Sequence, residues 1–340
     1  MKALVYHGPE DMRFEDIEDL HPGRGEVKVK IRAVGICGSD VHGYLGITGR
    51  RIPPMVMGHE FSGEIFEVGE GVTALRAGDR VTAYPVYFCG ECEFCKQDKT
   101  HICINKKSLG VLDCNGAMAE YVCVPEKLVF KLADNISFKI GSMIEPLAVA
   151  YRGVKAAGDI TDKSILIVGA GTIGLLVLAV AKMYNPGRIL ISDLSDSRLC
   201  VAKEMGADIV INPAKDSISD VIKDETHGSG VDIAIEAVGA TPTVQQAMAG
   251  LKIGGTAIWI GNSAQMVVIN MQEIVTRELK VKGSFTYTFQ EYKEVVDLLS
   301  SSRLDIEPVI SLTAPLGKGV ELFKRMAKDP GSLIKVILTD

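Results

Sequence analysis

Residues 164–181 read SILIVGAGTIGLLVLAVA, a run without a single charged side chain. An uncharged run of this length is about the minimum for a membrane-spanning helix, but Gly169, Gly171 and Gly174 interrupt it. A short apolar segment that ends at glycine is typical of a buried strand in a parallel sheet. We therefore predict a buried strand, a glycine turn and a buried helix in place of a membrane span.

Further apolar segments follow this run at intervals typical of alternating strands and helices. The six predicted strands are Ile165–Val168, Ile189–Ser192, Asp208–Ile211, Asp232–Ala237, Thr256–Ile260 and Leu279–Lys282. Six parallel strands with intervening helices are what a complete dinucleotide-binding fold requires. After them we predict a helix at 290–300 and a last strand at 333–339.

The glycine spacing suits a dinucleotide. Gly169 and Gly171 would let the backbone approach a pyrophosphate at the helix N-terminus, and Gly174 would let the helix pack on the strand. Asp193 ends the second strand, where a carboxylate would bind ribose hydroxyls; an Asp that only caps the helix starting near Ser195 is the alternative. A carboxylate repels a 2′-phosphate, so we expect NAD rather than NADP.

Composition and charge exclude other classes of function. The chain has 37 Lys and Arg against 43 Asp and Glu, a net charge of -6, and no dense basic cluster, so nucleic acid is not an expected partner. The N-terminal residues lack the pattern of a secretory signal. Clustered cysteines in a cytoplasmic protein indicate metal or redox chemistry rather than disulfides. We expect a cytoplasmic protein with no membrane partner.

Seven of the eight cysteines lie within the first 123 residues, and residues 27–34 alternate as in a half-buried strand. This part is expected to be mainly β. The closely spaced set is Cys89, Cys92, Cys95 and Cys103. Four thiolates suit a tetrahedral zinc ion with no open position, which makes a structural site. An iron–sulfur cluster is disfavoured, because the spacing differs and Ile104, not Pro, follows the last cysteine.

A second set of metal ligands is scattered. Cys37 opens CGSDVH, His59 and Glu60 stand in GHE, and Glu145 stands in IEP. Each alone is ambiguous, since a lone Cys is usually core, a lone His is usually bonded locally and a Glu can cap a helix. Together they could supply the three protein ligands of a catalytic zinc. Beside a dinucleotide fold, they suggest a Lewis acid near a hydride acceptor.

Over essentially its whole length the chain resembles the zinc-containing medium-chain alcohol and polyol dehydrogenases. The motifs that carry the resemblance are residues 37–42, 58–60 and 77–81 (AGDRV), the four-cysteine segment, the glycine turn and residues 282–285 (KGSF). Glu145-Pro146-Leu147 is similar to the sorbitol dehydrogenase branch, in which Glu replaces a ligand cysteine. The resemblance implies an α/β protein with a six-stranded Rossmann coenzyme domain at 147–286. It also implies a mainly β GroES-like catalytic domain with a zinc lobe at 1–146 and 287–340.

The same resemblance implies site residues. Two zinc ions per chain are expected, one structural at the four cysteines and one catalytic at Cys37, His59 and a carboxylate. Both Glu60 and Glu145 are open as that carboxylate, the other holding or exchanging with the water at the metal. Ser39 and His42 would pass the substrate proton through the cofactor ribose to solvent. The expected cofactor contacts are Gly169, Gly171, Ile173, Gly174, Asp193, Arg198, Ile260, Gly261, Asn262, Ser284, Phe285 and Thr286.

The implied reaction is hydride transfer between NAD and a secondary alcohol, polyol or polyol phosphate, which gives a ketone or ketose. The sorbitol enzymes have an Arg-Tyr pair where this chain has Thr286-Tyr287, so another polyol, a vicinal diol such as 2,3-butanediol, and L-threonine stay open as substrates. A zinc-free quinone reductase and a non-catalytic NAD-binding zinc protein are the rival hypotheses. The family is usually dimeric or tetrameric, so a homodimer or homotetramer is expected.

Overall fold

The computed structural model describes residues 1–301, 304–329 and 331–340. The chain forms two compact units. The first comprises Met1–Glu145 with the described parts of 288–303 and 310–340, and the second comprises Pro146–Tyr287 and Leu304–Val309. Segment 304–309 thus belongs to the second unit, although it lies inside the stretch that the sequence-based division assigns to the catalytic domain.

The strands are numbered along the chain. They are β1 (Lys2–Gly8), β2 (Asp11–Asp16), β3 (Glu26–Ile36), β4 (Met55–Val56), β5 (Glu60–Val68), β6 (Arg80–Ala83), β7 (Val86–Tyr87), β8 (Lys107–Ser108), β9 (Tyr121–Pro125), β10 (Val129–Lys131), β11 (Ser164–Val168), β12 (Arg188–Ser192), β13 (Ile209–Ile211), β14 (Val231–Glu236), β15 (Leu251–Trp259), β16 (Lys280–Gly283), β17 (Ile310–Pro315) and β18 (Lys335–Thr339).

The helices are numbered in the same way. They are α1 (Gly38–Tyr44), α2 (Phe138–Ser142), α3 (Ile144–Ala157), α4 (Thr172–Lys182), α5 (Asp196–Glu204), α6 (Ile218–Glu225), α7 (Thr241–Gly250), α8 (Met271–Thr276), α9 (Phe289–Ser300) and α10 (Gly319–Lys328). Short 3₁₀ turns lie at Cys95–Gln97, Thr100–Ile102, Glu126–Leu128, Glu307–Val309 and Leu316–Lys318. In the described part of the chain, no helix is both long enough and apolar enough to cross a membrane.

The second unit is built on a six-stranded sheet in the order β13-β12-β11-β14-β15-β16, and every neighbouring pair is parallel. The prediction of a six-stranded α/β sheet is confirmed. The predicted bounds differ most at β15, which begins at Leu251 rather than Thr256 because the β14·β15 register shifts after its first pair. Helix α4 is apolar around most of its surface, as a helix packed inside such a layer must be.

The glycine turn between β11 and α4 has the close packing that its sequence predicts. A Cβ on Gly174 would stand only 1.7 Å from the carbonyl oxygen of Gly169. Gly169 itself has φ +100°, a conformation that other residues rarely adopt. Gly171 is the N-cap of α4, and a Cβ there would meet open space. The turn therefore brings the helix N-terminus against the strand and leaves its backbone accessible.

The first unit contains a seven-stranded sheet in which β10-β6-β5-β3-β18-β17 form a continuous path and β9 also pairs with β3. The last strand of the chain, β18, runs antiparallel to β3 and pairs Val336 with Ile36. On its other side β3 pairs with β5, with Gly35 opposite Glu60. The end of β3 and the starts of β5 and β18 therefore meet at one end of the sheet, next to Cys37.

Candidate functional site

Three predicted ligands converge at this end of the first unit. The ligand atoms of Cys37, His59 and Glu60 all lie within 4.8 Å of one another. Cys37 follows β3, and His59 and Glu60 lie where the chain enters β5. A thiolate, an imidazole and a carboxylate around one point form the type of ligand set that binds Zn²⁺ with a position left open. The residues present thus fit the metal that the sequence predicts.

Cys37 is held by the helix that it starts. It is the N-cap of α1, and its Sγ accepts hydrogen bonds from the backbone N–H of Ser39 (3.4 Å) and from the Ser39 hydroxyl (3.3 Å). Asp40 returns the bond, because its Oδ2 accepts from the Cys37 N–H at 3.2 Å. These contacts fix the position of the Cys37 Sγ at the start of α1.

His59 lies beside a buried carboxylate. Its Nδ1 is 3.7 Å from Asp40 Oδ1 and, within the described residues, has no hydrogen-bond partner. Burial acts to lower the pKa of His59, but Asp40, Cys37 and Glu145 raise it well above its usual range. A histidine ligand commonly directs one ring nitrogen to a carboxylate and the other to the metal, and this arrangement is consistent with that role.

Glu60 forms a buried ion pair with Lys335 at the start of β18. Lys335 Nζ donates to both carboxylate oxygens, at 2.7 and 2.9 Å, and to the carbonyl oxygen of Ile36 at 3.1 Å. Burial tends to lower the pKa of Lys335, yet the negative groups around it, Glu60 first, raise it. Each carboxylate oxygen has two lone-pair positions, so pairing with Lys335 leaves Glu60 able to bind a metal.

The remaining residues predicted for this site are Glu145 on α3 and Ser39 and His42 on α1. Glu145 is in the first turn of α3 and is about nine-tenths buried. It is not one of the three clustered ligands, although its charge contributes to the raised pKa values of His59 and Lys335. Ser39 is exposed and His42 is half-buried, both on α1. The structure thus brings the ligand atoms of Cys37, His59 and Glu60 together, and Glu145 is not part of that cluster.

The four-cysteine lobe forms a second ligand set. The sulfurs of Cys89, Cys92, Cys95 and Cys103 lie within 4.8 Å of one another, and none is in a disulfide. A backbone N–H hydrogen bond lowers the pKa of Cys92 to about 6, whereas burial raises the pKa of Cys95 to about 12. Four converging thiols in a loop segment fit a closed tetrahedral zinc site.

In the second unit, Asp193 joins the glycine turn to the next helix. Its Oδ2 accepts from the backbone N–H of Ala170 at 2.8 Å, and its Oδ1 accepts from Ser195 at 2.9 Å. Arg198 Nη1 is 4.0 Å from Oδ2. Asp193 therefore also has the alternative role at the helix start, because it accepts from Ser195, the N-cap residue of α5. It does not preclude ribose binding, since the carboxylate has further acceptor positions.

The other predicted cofactor residues lie at the same edge of the sheet. Ile173 is in the first turn of α4, Ile260–Asn262 directly follow β15, and Ser284–Thr286 directly follow β16. The carboxyl ends of parallel strands are where such sheets bind their ligands. Segment 260–262 is tightly placed: a Cβ on Gly239 would stand 2.4 Å from the backbone nitrogen of Asn262.

Buried polar atoms without partners are concentrated at this edge. Among the described residues, the buried side-chain atoms without a hydrogen-bond partner include five at this edge: Ser192 Oγ, Glu236 Oε2, Trp259 Nε1, Ser284 Oγ and Thr286 Oγ1. Buried polar groups are normally hydrogen-bonded, so several orphans at one edge fit a site that a polar cofactor completes. Ser192, Glu236 and Trp259 were not predicted from the sequence, although each is the last residue of its strand.

Two family descriptions match this chain. Residues 23–134 match the alcohol dehydrogenase GroES-like domain, and residues 172–301 match the zinc-binding dehydrogenase family.

Individual relatives extend over nearly the whole chain. D-xylulose reductase A of Aspergillus niger is 36% identical, over 91% of this chain and 88% of the relative. Sorbitol dehydrogenase of Ovis aries is 33% identical, over 99% of this chain and 95% of the relative. Among solved structures, a zinc-binding dehydrogenase from Sinorhizobium meliloti, determined with NADP bound, is 30% identical in sequence. The two structures match with a TM-score of 0.91, over 100% of this chain and 99% of the other.

Proposed function

The chain belongs to the zinc-containing medium-chain polyol dehydrogenase family, and from that premise we propose that it oxidises a polyol or polyol phosphate to a ketose with NAD. It is a zinc-dependent oxidoreductase of alcohols and polyols, as the similarity along its whole length implies. The observation that carries the proposal is the convergence of Cys37, His59 and Glu60. A zinc-free quinone reductase needs neither that site nor the cysteine lobe.

Each chain is proposed to hold two zinc ions, a catalytic one at Cys37, His59 and Glu60 and a structural one at the four cysteines. Zinc at an open site acts as a Lewis acid, which lowers the pKa of a substrate hydroxyl and so favours loss of hydride from its carbon. Around it, Asp40 orients both Cys37 and His59, and Lys335 balances the charge of Glu60. Thiols must stay reduced at both sites, which supports a cytoplasmic location.

Of the two carboxylates, Glu60 is favoured as the direct ligand and Glu145 as the group that holds a water or the substrate hydroxyl. The support is that Glu60 lies within the clustered set and Glu145 does not. We expect Glu145→Gln to keep both zinc ions while kcat falls, and Glu60→Gln to lose one zinc. The two variants are distinguished by measuring zinc content by mass spectrometry and NADH formation on the same samples.

Removing Glu60 alone also leaves Lys335 buried without its partner, which costs about 3–5 kcal/mol of stability. The matched control is the double variant Glu60→Gln/Lys335→Met, in which the uncompensated charge is absent. It should be more stable than Glu60→Gln and equally poor in zinc. If Glu145→Gln were the variant that loses zinc, the assignment of the two carboxylates would be reversed.

Ser39 is proposed to accept the proton of the substrate hydroxyl, and His42 is proposed to deliver it to solvent. A hydroxyl can accept one proton while it donates another, and Ser39 is held beside the metal site by its hydrogen bond to Cys37 Sγ. His42 lies on the same helix, three residues further along the chain.

For His42→Ala we expect lower kcat at low pH and unchanged zinc content, because the proton must then pass directly to solvent, where base is scarce. The measurement is kcat against pH, with zinc content determined on the same samples. His21→Ala, in the same unit, is a control that should leave the profile unchanged. An unaltered profile for His42→Ala would remove His42 from the path.

NAD is the proposed cofactor; the support is that Asp193 follows β12, at the position where such folds carry the acidic residue that binds the ribose. The glycine turn, the uncapped start of α4 and the orphaned polar atoms supply the rest of the cradle. Backbone segments 260–262 and 284–286 are proposed to contact the nicotinamide half. The functional domains proposed from these sites are 1–146 with 287–340 for catalysis and 147–286 for the coenzyme.

The substrate class is tested by following NADH absorbance with polyols, sugar-alcohol phosphates, 2,3-butanediol and L-threonine. We expect a polyol or its phosphate to have the highest kcat/KM. Thr286 replaces the arginine of the sorbitol enzymes, so sorbitol itself should be a weak substrate. Activity with none of these compounds would favour a non-catalytic NAD-binding protein.

A homodimer or homotetramer is proposed from the surface of the second unit. Helix α8 has no buried residue. Exposed apolar side chains lie on this helix and in the segment before it: Met266, Val268, Met271 and Val275. The next strand, β16, is the last of its sheet, and an edge strand beside exposed apolar side chains is a typical pairing surface. Sedimentation should give a multiple of the 36.6 kDa chain mass; a monomer would contradict this.

A further inference from the structure

Arg51 is a buried arginine next to the metal site. It lies in the loop after α1, and only 3% of its side chain is exposed. Its Nη2 donates to Asp40 Oδ1 at 2.9 Å and to the carbonyl oxygen of Ser39 at 3.5 Å, while Nη1 donates to the carbonyl oxygen of Arg50 at 3.2 Å. Arginine is rarely buried so fully unless it is paired, so this contact is a specific feature of the site.

Asp40 connects Arg51 to both predicted ligands that precede β5. Asp40 is fully buried, and one of its oxygens receives the Cys37 N–H while the other faces His59 Nδ1 at 3.7 Å. The oxygen that faces His59 is also the one that Arg51 holds. The position of that oxygen relative to the imidazole therefore depends on the guanidinium.

Helix α1 leaves space for this arginine. A Cβ on Gly43 would stand 2.7 Å from Arg51 Cγ and 3.2 Å from Nε. Glycine inside a helix is destabilising, yet here any larger residue would displace the arginine stem. Gly43 and Arg51 are thus matched in shape, which is a second observation that the arginine is built into the site.

The charges follow a common pattern. The clustered ligand Glu60 and the neighbouring carboxylate of Asp40 are both buried, and each is paired with a buried cation: Glu60 with Lys335, and Asp40 with Arg51. Removing one member of such a pair leaves the other buried charge uncompensated. Asp40 without Arg51 would lose the hydrogen bond that holds its Oδ1 toward His59.

We propose that Arg51 is a positioning residue of the open metal centre, acting through Asp40 to orient His59 and Cys37, with Gly43 providing the space that it needs. The inference rests on the proposed function, because it takes Cys37 and His59 as zinc ligands. Arg51 donates to Asp40 and to two backbone carbonyl oxygens, and its role needs no contact with substrate. Its effect should therefore appear in zinc affinity before it appears in substrate binding.

The experiment is chelator competition on the full chain, which gives a zinc dissociation constant for each site. The four-cysteine site is the internal reference. We expect Arg51→Met to weaken zinc binding at the open site about 10- to 100-fold, as loss of outer partners of a metal ligand does. Arg51→Lys should have a smaller effect, since an ammonium keeps the charge but lacks the planar fork. Gly43→Ala should weaken the same site.

Controls separate this role from general stability. Arg13→Met removes an exposed arginine that pairs with Asp11 in the same unit, and it should leave both zinc constants unchanged. Arg51→Met with wild-type affinity at the open site would overturn the inference, as would equal weakening of both sites. Wild-type protein that binds only one zinc would overturn the proposed function and this inference together, so the two failures are distinguishable.

Discussion

Cys37→Ser should lower the zinc content from two ions to one per chain and nearly abolish turnover. Cys37 Sγ is one of the three clustered ligand atoms and accepts hydrogen bonds from two donors of Ser39. A catalytic metal contributes several kcal/mol of transition-state stabilisation, and each ~1.4 kcal/mol is a factor of ten in rate. We therefore expect kcat/KM to fall about 1000-fold or more, measured by NADH formation on samples of known zinc content.

The matched control for this variant is Cys114→Ser. Cys114 is also a half-buried free thiol of the first unit, but it belongs to neither metal cluster among the described residues. It should keep two zinc ions and wild-type activity. Cys37→Ser with two zinc ions and full turnover would show that the open site is not the catalytic centre.

Asp193→Ala should remove the preference for NAD over NADP. At an effective dielectric near 20, a carboxylate next to a 2′-phosphate costs a few kcal/mol, so the NAD/NADP ratio of kcat/KM should fall about 100-fold. Because Asp193 also accepts from Ala170 and Ser195, kcat/KM with NAD itself should fall. Arg198, whose Nη1 is 4.0 Å from that carboxylate, adds a positive charge that favours a 2′-phosphate in this variant.

Cofactor binding can be measured apart from turnover. The chain has a single tryptophan, Trp259, at the carboxyl edge of β15, so NADH and NADPH binding can be followed by quenching of its fluorescence. Asp196→Ala removes an exposed carboxylate of α5 that pairs with Lys215, and it should leave the preference unchanged. If the NAD/NADP ratio of kcat/KM is unchanged in Asp193→Ala, Asp193 does not bind the ribose.

Much of the second unit could be predicted from sequence, because its signals are local. The apolar strands alternate with helices, and the glycines of the turn are required by close packing within a few residues. The start of β15 was predicted five residues late, since the register shift after Val231 leaves no trace in the hydrophobic pattern. The missed part of β15 contains Gly254 and Gly255 and an exposed Ile253, so its sequence resembles that of a loop.

The charge balance of the metal site could not be predicted in the same way. Glu60 and Lys335 are 275 residues apart, and they meet only because β18 and β5 flank β3. A single lysine in the apolar run 333–338 was the available signal. Likewise, the CGSDVH motif indicated Cys37, Ser39 and His42, whereas the role of Asp40 became visible only with its contacts to Arg51 and His59.

The open site of Cys37, His59 and Glu60 is proposed to bind the zinc ion on which polyol oxidation depends. The most direct test is to titrate the wild-type protein with a chelator while measuring zinc content and polyol-dependent NADH formation together. We predict that activity disappears with loss of one zinc per chain while the four-cysteine ion remains, and that added zinc restores it. Full activity after the first zinc is removed, or a chain that holds only one zinc from the start, would show that polyol oxidation does not depend on zinc at the open site.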